Sequence, residues 1–255
     1  MPNSSLPKLP WYQYRLRTLL LAMCVASVPL GMLATVLNRG RQQESVVRYL
    51  HNRGMSFCYD FSWDPNNGGY TNREMPWPPI VVRLLGIDTI SDIRAAFAPD
   101  AIEIAHRRSV EYQIGDDDVQ RLSGLATIKD LYLDDTRVTS RGLTSLCNLC
   151  QIENLGLQKT HISDCGMANI TRLSHLRWMS VADTQVTDRS VPYICSLGRL
   201  EFLDISGTRI TGAGVARLAT MRSLKTLFVS AEQAEQDEVA ALNRNDSGPA
   251  IIRRR

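Results

Sequence analysis

The chain is 255 residues long, which is enough for one or two domains with their own hydrophobic cores. Hydrophobic residues make up 44% of it and charged residues 22%, as in an ordinary folded protein. The net charge of +3 is too small to indicate nucleic-acid binding. Much of that charge lies outside the central part of the chain, and the closing Arg253-Arg254-Arg255 is interpreted as a solvated tail or, alternatively, a phosphate or lipid contact.

Residues 1–17 form an N-terminal tail, and the uncharged segment from Thr18 to Leu37 follows it. A helix of this length would be about 30 Å long, which matches the hydrocarbon core of a bilayer. The segment therefore predicts a single transmembrane helix, with a cleavable signal peptide and a buried core helix as alternatives. Basic residues flank both ends, so they do not fix the orientation. A short tail before a long domain favours an extracytoplasmic position for the domain.

Residues 38–101 form a juxtamembrane region and an N-terminal cap. The stretch from Arg41 to Arg53 predicts a helix that ends at Gly54, and the alternation from Met55 to Phe61 predicts a strand. Residues 63–79 are rich in Pro, Gly, Asn and Asp and predict a loop. A short helix from Ile80 to Leu85 is expected to cover the open end of the first repeat.

Residues 102–230 carry an internal repeat at 24-residue spacing. Each unit begins with an apolar-x-apolar triplet that predicts a strand, and continues with apolar residues spaced for one face of a helix. A less regular copy begins at Ile102 and Ile104, and the series closes on Leu227-Phe228-Val229. The regular triplets are Leu131-Tyr132-Leu133, Leu155-Gly156-Leu157, Met179-Ser180-Val181 and Leu203-Asp204-Ile205.

Hydroxyl residues recur at two positions of every unit. Thr139, Ser163, Thr187 and Thr211 stand where each helix begins and are predicted N-caps, with Asp164 and Asp188 next in the first turn. Thr136, Thr160, Thr184 and Thr208 stand where the chain leaves the strand. Their hydroxyls are expected to bond free backbone groups in a ladder between repeats.

This pattern resembles the leucine-rich-repeat family, in the 24-residue form with the Thr-x-Val-Thr-Asp signature seen at Thr184-Gln185-Val186-Thr187-Asp188. The resemblance implies an α/β solenoid with a parallel sheet on its concave side and helices on its convex side. With the N-terminal anchor, the chain looks like bacterial membrane-anchored repeat proteins, which mostly bind other proteins. Threonine replaces the asparagine of many relatives, and residues 231–255 look like a degenerate C-terminal cap and basic tail.

The concave strand positions form the candidate binding surface for a protein or an envelope component. Trp178 and Phe202 are expected to be neighbours on adjacent strands, and exposed aromatics on such a sheet are typical of an interaction hot spot. Alternatively, these aromatics cover one another or lie beneath the C-terminal tail. Asp130, Asp134 and Asp135 are interpreted as solvated surface. The predicted partner-binding residues are Tyr132, Trp178, Phe202, Asp204 and Phe228.

No catalytic, cofactor or metal site is predicted. The 4 histidines are scattered, no phosphate-binding glycine loop is present, and Cys147-x-x-Cys150 has no second pair. Two functions remain: a membrane-tethered binding module, and a structural envelope protein without a specific partner. Exposure of Trp178, Phe202 and Phe228 would favour the first.

Overall fold

The computed structural model describes residues 34–59, 63–64, 69–70, 93–97, 114–235 and 248–254. The strands in these segments are β1 (Ser56–Tyr59), β2 (Trp63–Asp64), β3 (Gly69–Tyr70), β4 (Ile93–Phe97), β5 (Asp130–Tyr132), β6 (Asn154–Gly156), β7 (Trp178–Ser180), β8 (Phe202–Asp204), β9 (Thr226–Ser230) and β10 (Ala250–Arg254). The α-helices are α1 (34–51), α2 (Asp116–Leu122), α3 (Ser140–Ser145), α4 (Asp164–Met167), α5 (Val191–Cys195), α6 (Gly212–Leu218) and α7 (Ala231–Ala234). Short 3-10 helices span Leu146–Asn148, Ala168–Arg172 and Asp188–Ser190.

Eight of these strands form one sheet in the order β1-β4-β5-β6-β7-β8-β9-β10. The strands from β4 to β10 are parallel, and β1 is antiparallel to β4. From β5 to β9, each residue lies beside the residue 24 positions later, as Leu131 does beside Leu155. The predicted strands are therefore confirmed and are stacked in register, although β5 to β8 each begin and end one residue before the predicted triplet.

The core lies between the sheet and the helical segments. The strand residues Leu131 and Leu133 point inward and are fully buried, and Leu143 and Leu146 from the following helical segment pack into the same cluster. The same division recurs in each later unit, because alternate strand positions and every third or fourth helical position are apolar. The result is a leucine-rich-repeat-like α/β fold with a sheet on one side and helices on the other.

The N-terminal end differs in part from the prediction. The predicted helix ends as expected, since Gly54 has a φ of 91°, and the next strand is β1. The strand beside β5 is β4 rather than a segment beginning at Ile102, because Ala96 of β4 pairs with Leu131 and buries a core position that the 24-residue spacing does not locate. Ile102, Ile104 and the predicted helix at residues 80–85 lie outside the described residues.

Most of the predicted anchor, Thr18 to Leu37, also lies outside the described residues. Residues 34–37 form the start of α1, in which Val36 is exposed. Among the helices that the structure describes, none has both the length and the apolar character required to cross a bilayer.

The turn threonines bond within their own repeat, which corrects the predicted ladder. The hydroxyls of Thr136, Thr160 and Thr184 each donate to the backbone oxygen three residues earlier, at 2.6 Å, and Thr208 does so at 2.7 Å. In each unit the acceptor is the backbone carbonyl of the residue directly after the strand, so donor and acceptor belong to the same repeat. These hydroxyls fix the exit from each strand.

A ladder between repeats does exist, one turn further along. The carboxylate of Asp116 accepts hydrogen bonds from the Thr139 backbone N–H at 2.8 Å and hydroxyl at 2.6 Å. Asp188 binds Thr211 in the same way at 2.8 and 2.7 Å. Thr139 and Thr211 are N-caps, as predicted. Asp116 and Asp188 therefore join their own repeat to the next one by hydrogen bonds. As acidic residues in a first turn they also stabilise the helix that they begin.

The C-terminal end is closed by α7 and β10. Gln233, which follows the last full repeat, donates its side-chain N–H groups to the carbonyl of Ile210 at 3.0 Å and to the hydroxyl of Thr208 at 3.2 Å. It thereby satisfies groups that a further repeat would otherwise cover. The predicted cap residues Ile251 and Ile252 lie in β10, and so does Arg253, which was interpreted as part of a solvated tail.

Candidate binding surface on the open face of the sheet

The side of the sheet that points away from the core is termed the sheet face, and it corresponds to the concave side implied by the family resemblance. The strand register places its side chains in two columns, one running from Asp130 to Thr226 and the other from Tyr132 to Phe228. The strand β10 extends both columns, since Ala250 lies beside Thr226 and Ile252 lies beside Phe228. The surface is therefore one strand wider than the repeats alone indicate.

Four apolar side chains gather toward the C-terminal end of the sheet face: Trp178, Phe202, Phe228 and Ile252, termed the apolar cluster. Trp178 and Phe202 are direct partners on β7 and β8, as predicted. Phe202 is 37% exposed and Ile252 is 44% exposed, whereas Trp178 and Phe228 are half-buried. Trp178 and Phe228 therefore line the surface, and Phe202 and Ile252 project from it.

Trp178 packs against Tyr132, which lies toward the N-terminal end of the sheet face. Its ring lies 5.8 Å from the ring of Tyr132, with the two planes inclined by 50°. The two rings stand on β5 and β7, and Gly156 lies on β6 between them. An ideal Cβ on Gly156 would lie 2.9 Å from Cδ1 of Tyr132. The absence of a side chain at residue 156 therefore allows the two rings to approach across the central strand.

Asp204 forms part of the floor between the apolar side chains. It is 4% exposed, and its Oδ1 accepts hydrogen bonds from the Ser206 backbone N–H at 3.0 Å and hydroxyl at 2.6 Å. Its neighbour Ser180 is buried, and so is Ala182. The centre of the sheet face is thus a floor of small or internally bonded residues beside large projecting ones.

At the N-terminal end of the sheet face Asp135 is exposed, as interpreted, but Asp130 is buried, which corrects its interpretation as solvated surface. This carboxylate is 1% exposed, lies 3.3 Å from Nε of Arg94, and accepts a hydrogen bond from Nδ2 of Asn154 at 2.5 Å. Burial, together with the charges of Asp130 and Asp134, raises the pKa of Tyr132 to about 12. Tyr132 is therefore neutral at physiological pH. This end is rigid and polar, whereas the other end is apolar.

The described residues show no group of three His, Cys, Asp or Glu side chains that could hold a metal ion. Cys147 and Cys195 are free thiols, and Cys150 is exposed. Burial raises the pKa of the Cys195 thiol, although the charge of Arg217 opposes this shift. What the sheet face can do chemically is bury apolar surface against a partner.

Ile252 is the member of the apolar cluster that sequence reasoning missed. The segment Pro249-Ala250-Ile251-Ile252 was recognised as a cap, but it lacks the 24-residue spacing that assigns a strand register. The alternation of Ile251 toward the core and Ile252 toward the sheet face was the available signal.

No family model and no curated protein matches the chain. Among solved structures, internalin C2 of Listeria monocytogenes is 22% identical with a TM-score of 0.41, and the match covers 53% of this chain and 56% of that one. An internalin, InlF, of the same organism is 18% identical with a TM-score of 0.35, covering 52% and 46%. The leucine-rich-repeat ectodomain of the Arabidopsis thaliana receptor kinase SOBIR1 is 14% identical with a TM-score of 0.41, covering 74% and 91%. The chain thus spans about half the length of the two internalins.

Proposed function

We propose that this protein binds another protein, or an envelope component, through the apolar cluster of its sheet face. The observation that carries the proposal is the exposure of Phe202 and Ile252 beside half-buried Trp178 and Phe228 on one surface. Interface hot spots are typically aromatic, central and rigidly supported. Three members of the apolar cluster are aromatic, and each member stands on a hydrogen-bonded strand of one sheet.

The surface is preorganised for binding. Trp178 rests against Tyr132, and the strands that carry both rings are joined through β6 by the backbone pairing of the sheet. A partner would therefore bury these side chains with little further loss of conformational entropy.

We also propose that Thr18 to Leu37 anchors the chain in a membrane, with the repeats on the extracytoplasmic side. The support is the uncharged length of this segment and its flanking arginines. The described end of the segment, residues 34–37, is helical and exposes Val36. An anchored solenoid would present its sheet face to partners near the membrane surface.

Site-specific photo-crosslinking tests the binding proposal. A photoreactive phenylalanine analogue replaces Phe202 in one variant and Tyr193 in a matched control, since both side chains are 37% exposed and Tyr193 lies in α5, away from the sheet. In cells that make the protein, we expect one discrete adduct from residue 202 and none from residue 193. No adduct at residue 202 would instead support the structural envelope role.

A further inference from the structure

One edge of the repeats carries a continuous row of charged residues just before each strand: Lys129, Glu153, Arg177, Glu201 and Lys225, here called the pre-strand edge. Their signs alternate along the row. Backbone hydrogen bonds of 2.7 or 2.8 Å join each residue to the next. The row is therefore a single surface that runs the length of the repeats.

The C-terminal part of this edge is strongly basic. Glu201 pairs with both Arg177 and Lys225, so its charge is already shared between two cations. Arg199 and Arg222 are exposed in the adjoining loops, and no carboxylate in the described part of the chain pairs with them. Arg177, Arg199, Arg222 and Lys225 line one shallow pocket and are termed the cationic cluster.

The helix α1 approaches the same edge at the other end of the solenoid. Its C-terminal part packs beside α2, where Nε of Arg53 lies 3.0 Å from Oδ1 of Asp118. In the same region the guanidinium of Arg121 lies 4.3 Å from the ring centroid of Tyr49. The contacts therefore fix α1 along the outside of the first helix of the repeats.

The N-terminal part of α1 continues toward the pre-strand edge and past it. Gln42 and Gln43 face Ala126 and Thr127, which belong to the loop at the start of this edge, across a small pocket. Residue 34 lies nine residues before Gln43, which corresponds to about 14 Å along a straight helix. Ala34, Thr35 and Val36 are exposed, as expected for a helix that projects beyond the repeats. The N-terminal end of α1 thus lies on the same side of the solenoid as the cationic cluster.

We infer that the pre-strand edge lies against an anionic bilayer and that the cationic cluster binds lipid headgroup phosphates. This inference rests on the proposed anchor, which ends at Leu37. From Leu37 to Gln42 the rise along a helix is about 8 Å, comparable with the headgroup layer on one side of a bilayer. An upright α1 therefore places the pre-strand edge at the level of the headgroups, where basic side chains are attracted to anionic lipids.

A bilayer explains the position of the cationic cluster better than an acidic protein does. The cluster shares its edge with the exit of α1, so the membrane that holds the anchor is brought to it without a further binding event. The proposed protein partner occupies the sheet face, which remains open when the edge lies on the membrane. The two surfaces therefore function independently.

Hydrogen–deuterium exchange of the full chain in lipid nanodiscs tests this inference. The nanodiscs contain phosphatidylcholine alone or phosphatidylcholine with phosphatidylglycerol. We expect exchange in peptides covering residues 198–199 and 222–223 to slow about threefold or more when phosphatidylglycerol is present. Arg199→Glu/Arg222→Glu should abolish this difference. The matched control Lys159→Glu/Arg209→Glu, with the same charge change on turns at the opposite edge, should retain it.

The outcomes separate the inference from the anchor. A chain that incorporates into both nanodiscs with equal exchange at the cationic cluster would overturn the inference and leave the anchor standing. Equal loss of the lipid effect in both double variants would also overturn it, because the attraction would then depend on net charge alone. A chain that incorporates into neither nanodisc would refute the anchor and the inference together.

Discussion

An ideal Cβ on Gly142 would lie 2.6 Å from Oδ1 of Asp116, in the preceding unit. The same relationship recurs along the solenoid: Gly166 faces Ser140, and Gly214 faces Asp188. Where serine replaces this glycine, at Ser190, its hydroxyl donates to the carboxylate of Asp164. The residue at this position of the repeat therefore lies against the first helical residue of the preceding unit, which is Asp116 for Gly142, Ser140 for Gly166 and Asp188 for Gly214.

Replacing Gly142 by alanine should therefore destabilise the protein. The new methyl group would displace a carboxylate that two hydrogen bonds hold, and it would also lie 3.0 Å from Cγ1 of Val138. Overpacking of this kind costs about 1–3 kcal/mol, partly offset by the higher helix propensity of alanine. We expect a net loss of about 1–2 kcal/mol in the free energy of unfolding, measured by urea denaturation.

Gly198→Ala serves as the control, since no atom lies within 4 Å of an ideal Cβ at that residue. Its free energy of unfolding should change by less than about 0.5 kcal/mol. Equal effects of the two substitutions would show that the close approach to Asp116 is not the cause.

The Asp164 carboxylate should make stability depend on pH. Burial opposes its ionisation, but hydrogen bonds from Ser190 and Thr187 outweigh that effect and hold the pKa of Asp164 below its ordinary value. Because the folded-state pKa is lowered, the stabilisation is present above the unfolded-state pKa of about 4 and is lost as the pH falls through the folded-state value.

Asp164→Asn should therefore lower the free energy of unfolding at pH 7 by about 1 kcal/mol. Its difference from wild type should shrink as the pH falls below about 4, because the wild-type carboxylate then becomes protonated. The exposed Asp117→Asn control should show little of this convergence. A difference for Asp164→Asn that stays constant across this range would disprove the assignment.

The internal repeat made most of the fold predictable from sequence. Apolar residues such as Leu131 and Leu155 recur at a fixed spacing, and the sheet register follows directly. The position of Trp178 beside Phe202 on the sheet was predictable for the same reason. The acceptor of the Thr136 hydroxyl was not predictable, because its own repeat and the neighbouring repeats all offer carbonyl groups. Only the local geometry selects the carbonyl of Leu133.

The ends of the solenoid were harder to predict, because they lack the periodicity. The strand β4 enters the sheet outside the 24-residue series, and β10 returns beside β9 after a segment without a repeat signal. The pairing of β10 with β9 places Ile252 beside Phe228 and so adds it to the apolar cluster. The burial of Asp130 depends on Arg94, which belongs to the irregular β4.

Gln233 should contribute to stability as the polar cap of the last repeat. Substitution by leucine keeps the side-chain volume but leaves the carbonyl of Ile210 and the hydroxyl of Thr208 without this donor. We expect a loss of about 1–3 kcal/mol, the range for an uncompensated buried polar group. Urea denaturation measures it, and hydrogen exchange in α6 and β9 should accelerate.

The control for this cap is Gln185→Leu in an exposed turn, which should leave both measurements nearly unchanged. If Gln233→Leu were as stable as wild type, the hydrogen bonds from Gln233 to Thr208 and Ile210 would not contribute to the stability of the last repeat.

The binding affinity of the partner captured at residue 202 tests the central proposal most directly. It is measured by titration calorimetry for wild type, Phe202→Ala and Tyr193→Ala, after thermal unfolding shows that all three are folded. Removing a central aromatic hot spot should weaken binding at least about tenfold, whereas Tyr193→Ala should bind like wild type. Equal affinities for Phe202→Ala and wild type would contradict recognition through the apolar cluster of the sheet face.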